Sequence, residues 1–150
     1  MYRAPVPDEP DIDELSTALY RGISLIVRRL KQLQAPDELT LPQRAALARI
    51  DRGGPSSAAQ LARAEQITPQ AMGITIASLE ARGLVQRQRD PHDGRMSVNS
   101  LTPAGVELLR HDRDTRARQF AKVLSEKFTA AELRGLSKLA PLIERLGAEL

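Results

Sequence analysis

The side chains able to do covalent or acid–base chemistry are few in this sequence and stand apart. His92 lies in the run Asp90-Pro91-His92-Asp93-Gly94, and His111 sits beside Asp112 and Asp114 in a densely charged stretch. An enzyme needs a nucleophile with a base, paired acids or a metal cluster, and two histidines placed in a turn and in a charged helix complete no such constellation. A His–Asp pair without further ligands reads as a polar turn, not a metal site, and Asp112 and Asp114 read as solvated acids. With no cysteine, thiolate catalysis, thiolate metal ligation, disulfides and thiol redox sensing are excluded. Gly53-Gly54-Pro55 lacks the lysine of a phosphate-binding loop. The expectation is a protein that is not an enzyme, with no cofactor, no metal and no catalytic residue.

What remains is chemistry of recognition. Arg87 and Arg89 alternate along Leu84-Val85-Gln86-Arg87-Gln88-Arg89, and Arg95 follows Asp93 across a glycine-containing turn. Guanidinium groups match phosphates and base edges with two parallel hydrogen bonds, and a carboxylate placed like Asp93 is expected to orient the fork of Arg95. Alternating charges also mark the outward face of any exposed strand, so Arg87 and Arg89 carry both readings. Upstream, Gln66 to Ala81 contains no Lys or Arg. There Gln70 can make a bidentate contact to adenine, and Ala71 or Ile74 can touch a thymine methyl, which suggests an A·T-rich half-site. Ile74 reads equally well as a core residue.

Positioning these groups requires a definite order of elements. Residues 1 to 11, with Pro5, Pro7 and Pro10, read as a mobile arm. From Ile12, apolar Leu15, Leu19, Ile23, Ile26, Leu30 and Leu33 recur at helical spacing, with Arg28, Arg29 and Lys31 on the polar side. Thr40-Leu41-Pro42-Gln43 and Ser57-Ala58-Ala59-Gln60 each have capping-box spacing and open short helices to about Arg52 and Ala64. Thr68-Pro69 opens a fourth helix, with Met72, Ile76 and Leu79 as its buried stripe and Arg82-Gly83 as its end. The pattern then turns to strand (84 to 89), turn (90 to 94) and return strand (95 to 101). Thr102-Pro103 begins a long helix to about Phe128, whose charged middle reads as solvated. Thr129-Ala130-Ala131-Glu132 caps a last helix with Pro141 inside it.

Two short helices joined by a tight turn and followed by a basic hairpin form a geometry suited to reading DNA. The second helix offers its N-terminal residues to the major groove and the hairpin reaches the backbone or the minor groove. The candidate contacts are Ser57, Thr68, Gln70, Ala71, Ile74, Thr75 and Ser78 on the helices, and Arg87, Arg89, Asp93 and Arg95 on the hairpin.

The run from Leu41 to Gly105 resembles the core of the MarR family in several pieces: Ala58 to Ala64, Thr68-Pro69-Gln70-Ala71-Met72, Leu79 to Val85, Arg89-Asp90-Pro91-His92-Asp93-Gly94-Arg95, and Leu101-Thr102-Pro103-Ala104-Gly105. It departs at Ile74, where members often carry Arg or another polar group. The resemblance implies a mostly α fold with a small β-hairpin wing, a winged helix-turn-helix, in a MarR-like homodimer held by the terminal helices. It also implies a wing arginine in the minor groove, and in many members a small-molecule effector bound near the junction of the two parts. The domain expectation is one unit over 12–150, with dimerisation helices in 12–34 and 103–150 and a DNA-binding lobe in 40–101. The functional expectation is a sequence-specific regulator, commonly a repressor, binding a pseudo-palindromic operator on double-stranded DNA.

Length and composition agree with one domain: 150 residues, 16.5 kDa, 41% hydrophobic, only two Phe, two Tyr and no Trp. The formal charge of +3 and pI near 9.7 are mild, so charge alone selects no partner. No apolar run reaches the roughly 20 residues that span a bilayer, and no apolar leader opens the chain, so a cytoplasmic protein without membrane contact is expected. The competing reading is a winged-helix module used for protein assembly, which the fourth helix, without Lys or Arg, favours and the basic hairpin opposes.

Overall fold

The computed structural model describes residues 9–150, so most of the expected N-terminal arm lies outside the described residues. Six helices and a hairpin follow in the order α1 (Ile12–Gln32), α2 (Leu41–Gly53), α3 (Ala58–Ala64), α4 (Pro69–Ala81), β1 (Val85–Arg89), β2 (Ser97–Leu101), α5 (Pro103–Lys127) and α6 (Ala130–Glu149). Every helix begins at a side-chain cap. Asp11 accepts from the backbone of Asp13 and Glu14, and Thr40, Ser57 and Thr129 each complete a reciprocal capping box with Gln43, Gln60 and Glu132. Thr68 and Thr102 cap helices whose first residue is proline. These caps satisfy backbone donors that would otherwise be orphaned, which is why the helix starts fall where the hydroxyl and carboxylate residues stand.

One core lies where α2, α3, α4, the hairpin and the start of α5 meet. Leu39, Ala46, Leu47, Ile50, Leu61, Ala62, Met72, Ile76, Leu79, Leu84, Val85 and Leu109 are its buried side chains. The terminal helices contribute little: α1 and α6 hold no buried residue and have at most glancing contact with other elements.

The hairpin is antiparallel, with Val85 opposite Leu101 and Arg89 opposite Ser97. Ser56 adds an isolated bridge on the outer edge of β2, exchanging backbone hydrogen bonds with Asn99 at 3.1 and 2.8 Å. The return strand begins at Ser97 and not at the expected Arg95. Arg95 and Met96 belong to the turn, where the Met96 N–H bonds the Asp93 carbonyl and the Asp90 N–H bonds the Met96 carbonyl. The turn is thus closed by its own backbone bonds before the ladder starts.

Two glycines are needed where they stand. Gly83 turns the chain out of α4 with φ at 71°, a left-handed conformation that side chains resist. Gly105 lets α5 pass directly against the α4–β1 junction, because a Cβ there would overlap the Leu84 carbonyl oxygen. Beside it, the Thr102 hydroxyl donates to the Gly83 carbonyl at 2.6 Å and the Thr102 N–H to the Leu84 carbonyl at 3.1 Å. The base of the hairpin is thereby pinned to the start of α5.

Candidate nucleic-acid interface

The helix-turn-helix is α3, the turn Glu65-Gln66-Ile67, and α4. Gln66 takes a positive φ of 54° to make the turn. Arg49 of α2 locks it from outside, its Nε donating to Glu65 Oε1 at 2.8 Å and its Nη2 to the Ala64 carbonyl at 3.2 Å. On α4, Met72, Ile76 and Leu79 face the core while Gln70, Ala71, Ile74 and Ala77 face solvent. Ile74 is 68% exposed, which removes its core reading.

The orientation of α4 is set by a polar knot unread in the sequence. Gln43, buried at the start of α2, donates from Nε2 to Ser78 Oγ at 2.7 Å, and its Oε1 accepts from the Thr40 N–H and from Arg82 Nη1. Arg82 also donates to the Asp37 carbonyl at 2.7 Å. One side chain therefore caps α2 and holds the C-terminal half of α4.

Four of the expected contact residues have other duties. Ser57 is only 8% exposed, and its hydroxyl accepts from the Gln60 N–H, so it caps α3 and offers no open side chain. Ser78 is half-buried on the Gln43 bond. Thr75 is half-buried too, with its hydroxyl donating back to the Ala71 carbonyl at 3.2 Å, and the Thr68 oxygen accepts from the Ala71 N–H. Among the expected residues on α4, Gln70, Ala71 and Ile74 have open side chains with no internal hydrogen-bond partner.

On the wing, Arg87, Arg89 and Arg95 are exposed. Arg87 Nη2 is 3.7 Å from Glu80 Oε2, a loose contact that ties β1 to the end of α4. Arg89 and Arg95 have no carboxylate within ion-pair distance among the described residues. The expected guanidinium partnership of Asp93 with Arg95 is corrected: Asp93 Oδ1 accepts the backbone N–H of Arg95 at 3.1 Å. An aspartate two residues upstream reaches its neighbour's amide more readily than the end of its long side chain. Asp93 shapes the turn and leaves the fork of Arg95 unengaged.

The reading of Asp112 as a solvated acid is also overturned. Asp112 is 5% exposed and receives Arg44 at both oxygens, Nε to Oδ2 at 2.5 Å and Nη2 to Oδ1 at 2.8 Å. Hydrogen bonding to this carboxylate raises the Arg44 pKa above its ordinary value, against the opposing effect of burial. A second pair, Arg116 to Glu38 at 2.6 Å, lies on the same side of α5 one turn on. Together they fasten α5 to α2 and to the segment before it. Asp114 is exposed as expected.

Among the described residues no group of three or more His, Cys, Asp or Glu side chains is placed to hold a metal. No described helix is long and apolar enough to cross a membrane. The backbone N–H of His92 donates to Asp90 Oδ1 in the wing turn.

The MarR family model matches residues 38–96, the span of α2 through the wing turn. The HTH-type transcriptional repressor Rv2887 of Mycobacterium tuberculosis is 30% identical over 135 residues, covering 90% of this chain and 94% of that protein. This chain belongs to the MarR family. As a MarR family member it is a transcriptional regulator with a winged helix-turn-helix, not an enzyme. The crystal structure of RV1404 from Mycobacterium tuberculosis matches it with a TM-score of 0.76 at 25% identity, over 93% of this chain and 96% of that one. BpsR of Bordetella bronchiseptica, whose DNA binding is regulated by 6-hydroxynicotinic acid, shares the fold with a TM-score of 0.61 at 24% identity, over 87% of this MarR chain and 98% of its own.

Proposed function

We propose that this MarR regulator is a homodimeric repressor that binds a pseudo-palindromic operator, with α4 in the major groove and the wing on the backbone and adjoining minor groove. The observation that carries the reading is the exposed pair Arg89 and Arg95 without carboxylate partners among the described residues, on a hairpin that packs against the end of a helix whose outer face is open. Exposed unpaired guanidinium groups beside a solvent-facing helix suit a polyanion that is read in its groove. In this reading Gln70, Ala71 and Ile74 meet base edges, Thr68 and Thr75 line the approach, and Arg87, Arg89 and Arg95 hold the backbone and minor groove, with Asp93 shaping the turn.

The dimer is supported by surface left uncovered. A compact monomer of this mass exposes roughly 7,500 Å², whereas the chain exposes 11498 Å². Leu15, Ile23, Ile26, Phe120, Val123, Leu139, Leu142 and Leu146 on α1, α5 and α6 are among the exposed apolar side chains. Residues 12–34 and 103–150 are thus the proposed dimerisation parts and 40–101 the DNA-binding lobe, in a soluble cytoplasmic protein. Release by a small organic ligand completes the proposal, by analogy with BpsR, whose fold it shares.

Titration of duplex DNA at two salt concentrations tests the reading. Operator binding should weaken steeply between about 50 and 200 mM salt through counterion release. Binding that is absent, or indifferent to salt, would favour a protein-assembly module.

A further inference from the structure

Resting on the DNA-binding reading above, we propose that Ile74 reads thymine 5-methyl groups, so that α4 selects its site by apolar contact instead of by a cationic side chain. Ile74 is 68% exposed, and its outward neighbours Gln70, Ala71 and Ala77 add no charge. A helix with a well-formed buried stripe ordinarily presents charged or polar residues on its other face, and this one presents an isoleucine.

The polar groups that could take over base reading are committed elsewhere. Ser78 receives Gln43, Thr75 donates to the Ala71 carbonyl, and Thr68 caps the helix. Gln70, one turn before Ile74, is the one amide left on the outward face. In the major groove a thymine carries the only methyl group, and adenine offers the donor and acceptor that fit a side-chain amide. Gln70 followed by Ile74 is therefore matched to adjoining adenine and thymine edges.

Charge favours nucleobases over a protein as the occupant of this face. The uncharged face of α4 at Gln70, Ala71, Ile74 and Ala77 is flanked by the wing, where Arg89 and Arg95 have no carboxylate within ion-pair distance among the described residues. On a duplex, phosphates meet the arginines while the uncharged base edges meet α4.

The test uses the full chain to select duplexes from a random library, then replaces each thymine of the best duplex, one at a time, by deoxyuridine. This removes the methyl and leaves every Watson–Crick and backbone group in place. At one or two thymines of each half-site the wild-type protein should lose roughly threefold to tenfold in affinity, the contribution of one apolar methyl contact. Ile74→Ala should bind the thymine and deoxyuridine duplexes alike at those positions, with an unchanged salt slope. Arg95→Ala should instead bind both duplexes more weakly and keep the wild-type ratio between them. Equal wild-type affinity for every deoxyuridine duplex would overturn the proposal, as would an Ile74→Ala protein that keeps the wild-type loss. Failure to enrich any duplex, with no salt-dependent binding, would overturn the DNA-binding reading itself.

Discussion

Arg95 shows how a single side chain is prepared by its backbone. The Asp93 carboxylate is spent on the Arg95 N–H, so it shapes the turn and does not hold the guanidinium. Arg95→Ala should therefore leave folding intact, cost about 1–3 kcal/mol of operator affinity and lower the salt slope by about one. Fluorescence anisotropy across a salt series measures both quantities. Arg95→Lys should recover only part of the loss, since an ammonium keeps the charge without the planar fork. Wild-type affinity for Arg95→Ala at every salt concentration would remove the wing from the DNA contact.

At the scale of elements, the lobe is fastened to α5 by two devices of different kind. The first is steric. Gly105→Ala would drive a methyl into the Leu84 carbonyl, which belongs to the backbone and cannot step aside. It should cost about 1–3 kcal/mol in denaturant unfolding, and a neutral result would mean that α5 can shift along the hairpin base at little cost. The second is ionic, and its two halves are unequal. Arg44 is partly open to water, whereas Asp112 is buried. Arg44→Ala strands a buried carboxylate and should destabilise by roughly 2–4 kcal/mol, while Asp112→Ala leaves an arginine that can turn to solvent and should cost less. Chemical denaturation of the two variants and their combination gives the coupling; equal losses would contradict the asymmetry.

For the whole molecule, the terminal helices pose a problem that one chain does not solve. Their apolar side chains recur at helical spacing, yet α1 and α6 bury no residue. Obligate interfaces bury on the order of 2,000–5,000 Å², in keeping with the surplus surface of this chain. Sedimentation equilibrium at micromolar concentration should find a dimer, and unfolding midpoints should rise with protein concentration because folding and association are linked. A stable monomer with concentration-independent unfolding would count against the proposed assembly.

What the sequence determined by itself was local. Hydroxyls at Thr40, Ser57, Thr68, Thr102 and Thr129 mark five of the six helix starts, and the period change after Gly83 marks the hairpin, because capping and side-chain alternation depend on residues a few positions apart; the Asp11 cap, inside the stretch read as an arm, emerged only with the structure. The family motifs, being contiguous, were legible for the same reason. Tertiary structure decided the questions that turn on distant partners. Ile74 proved open and Asp112 buried, although both readings of the first and the solvated reading of the second fit the local pattern. Gln43 reaches Ser78 across thirty-five positions, Arg44 reaches Asp112 across sixty-eight, and Gly105 meets Leu84 only when α5 folds back on the hairpin base. Burial and ion pairing are properties of a packed neighbourhood, and a linear pattern records only which residues are available to enter it.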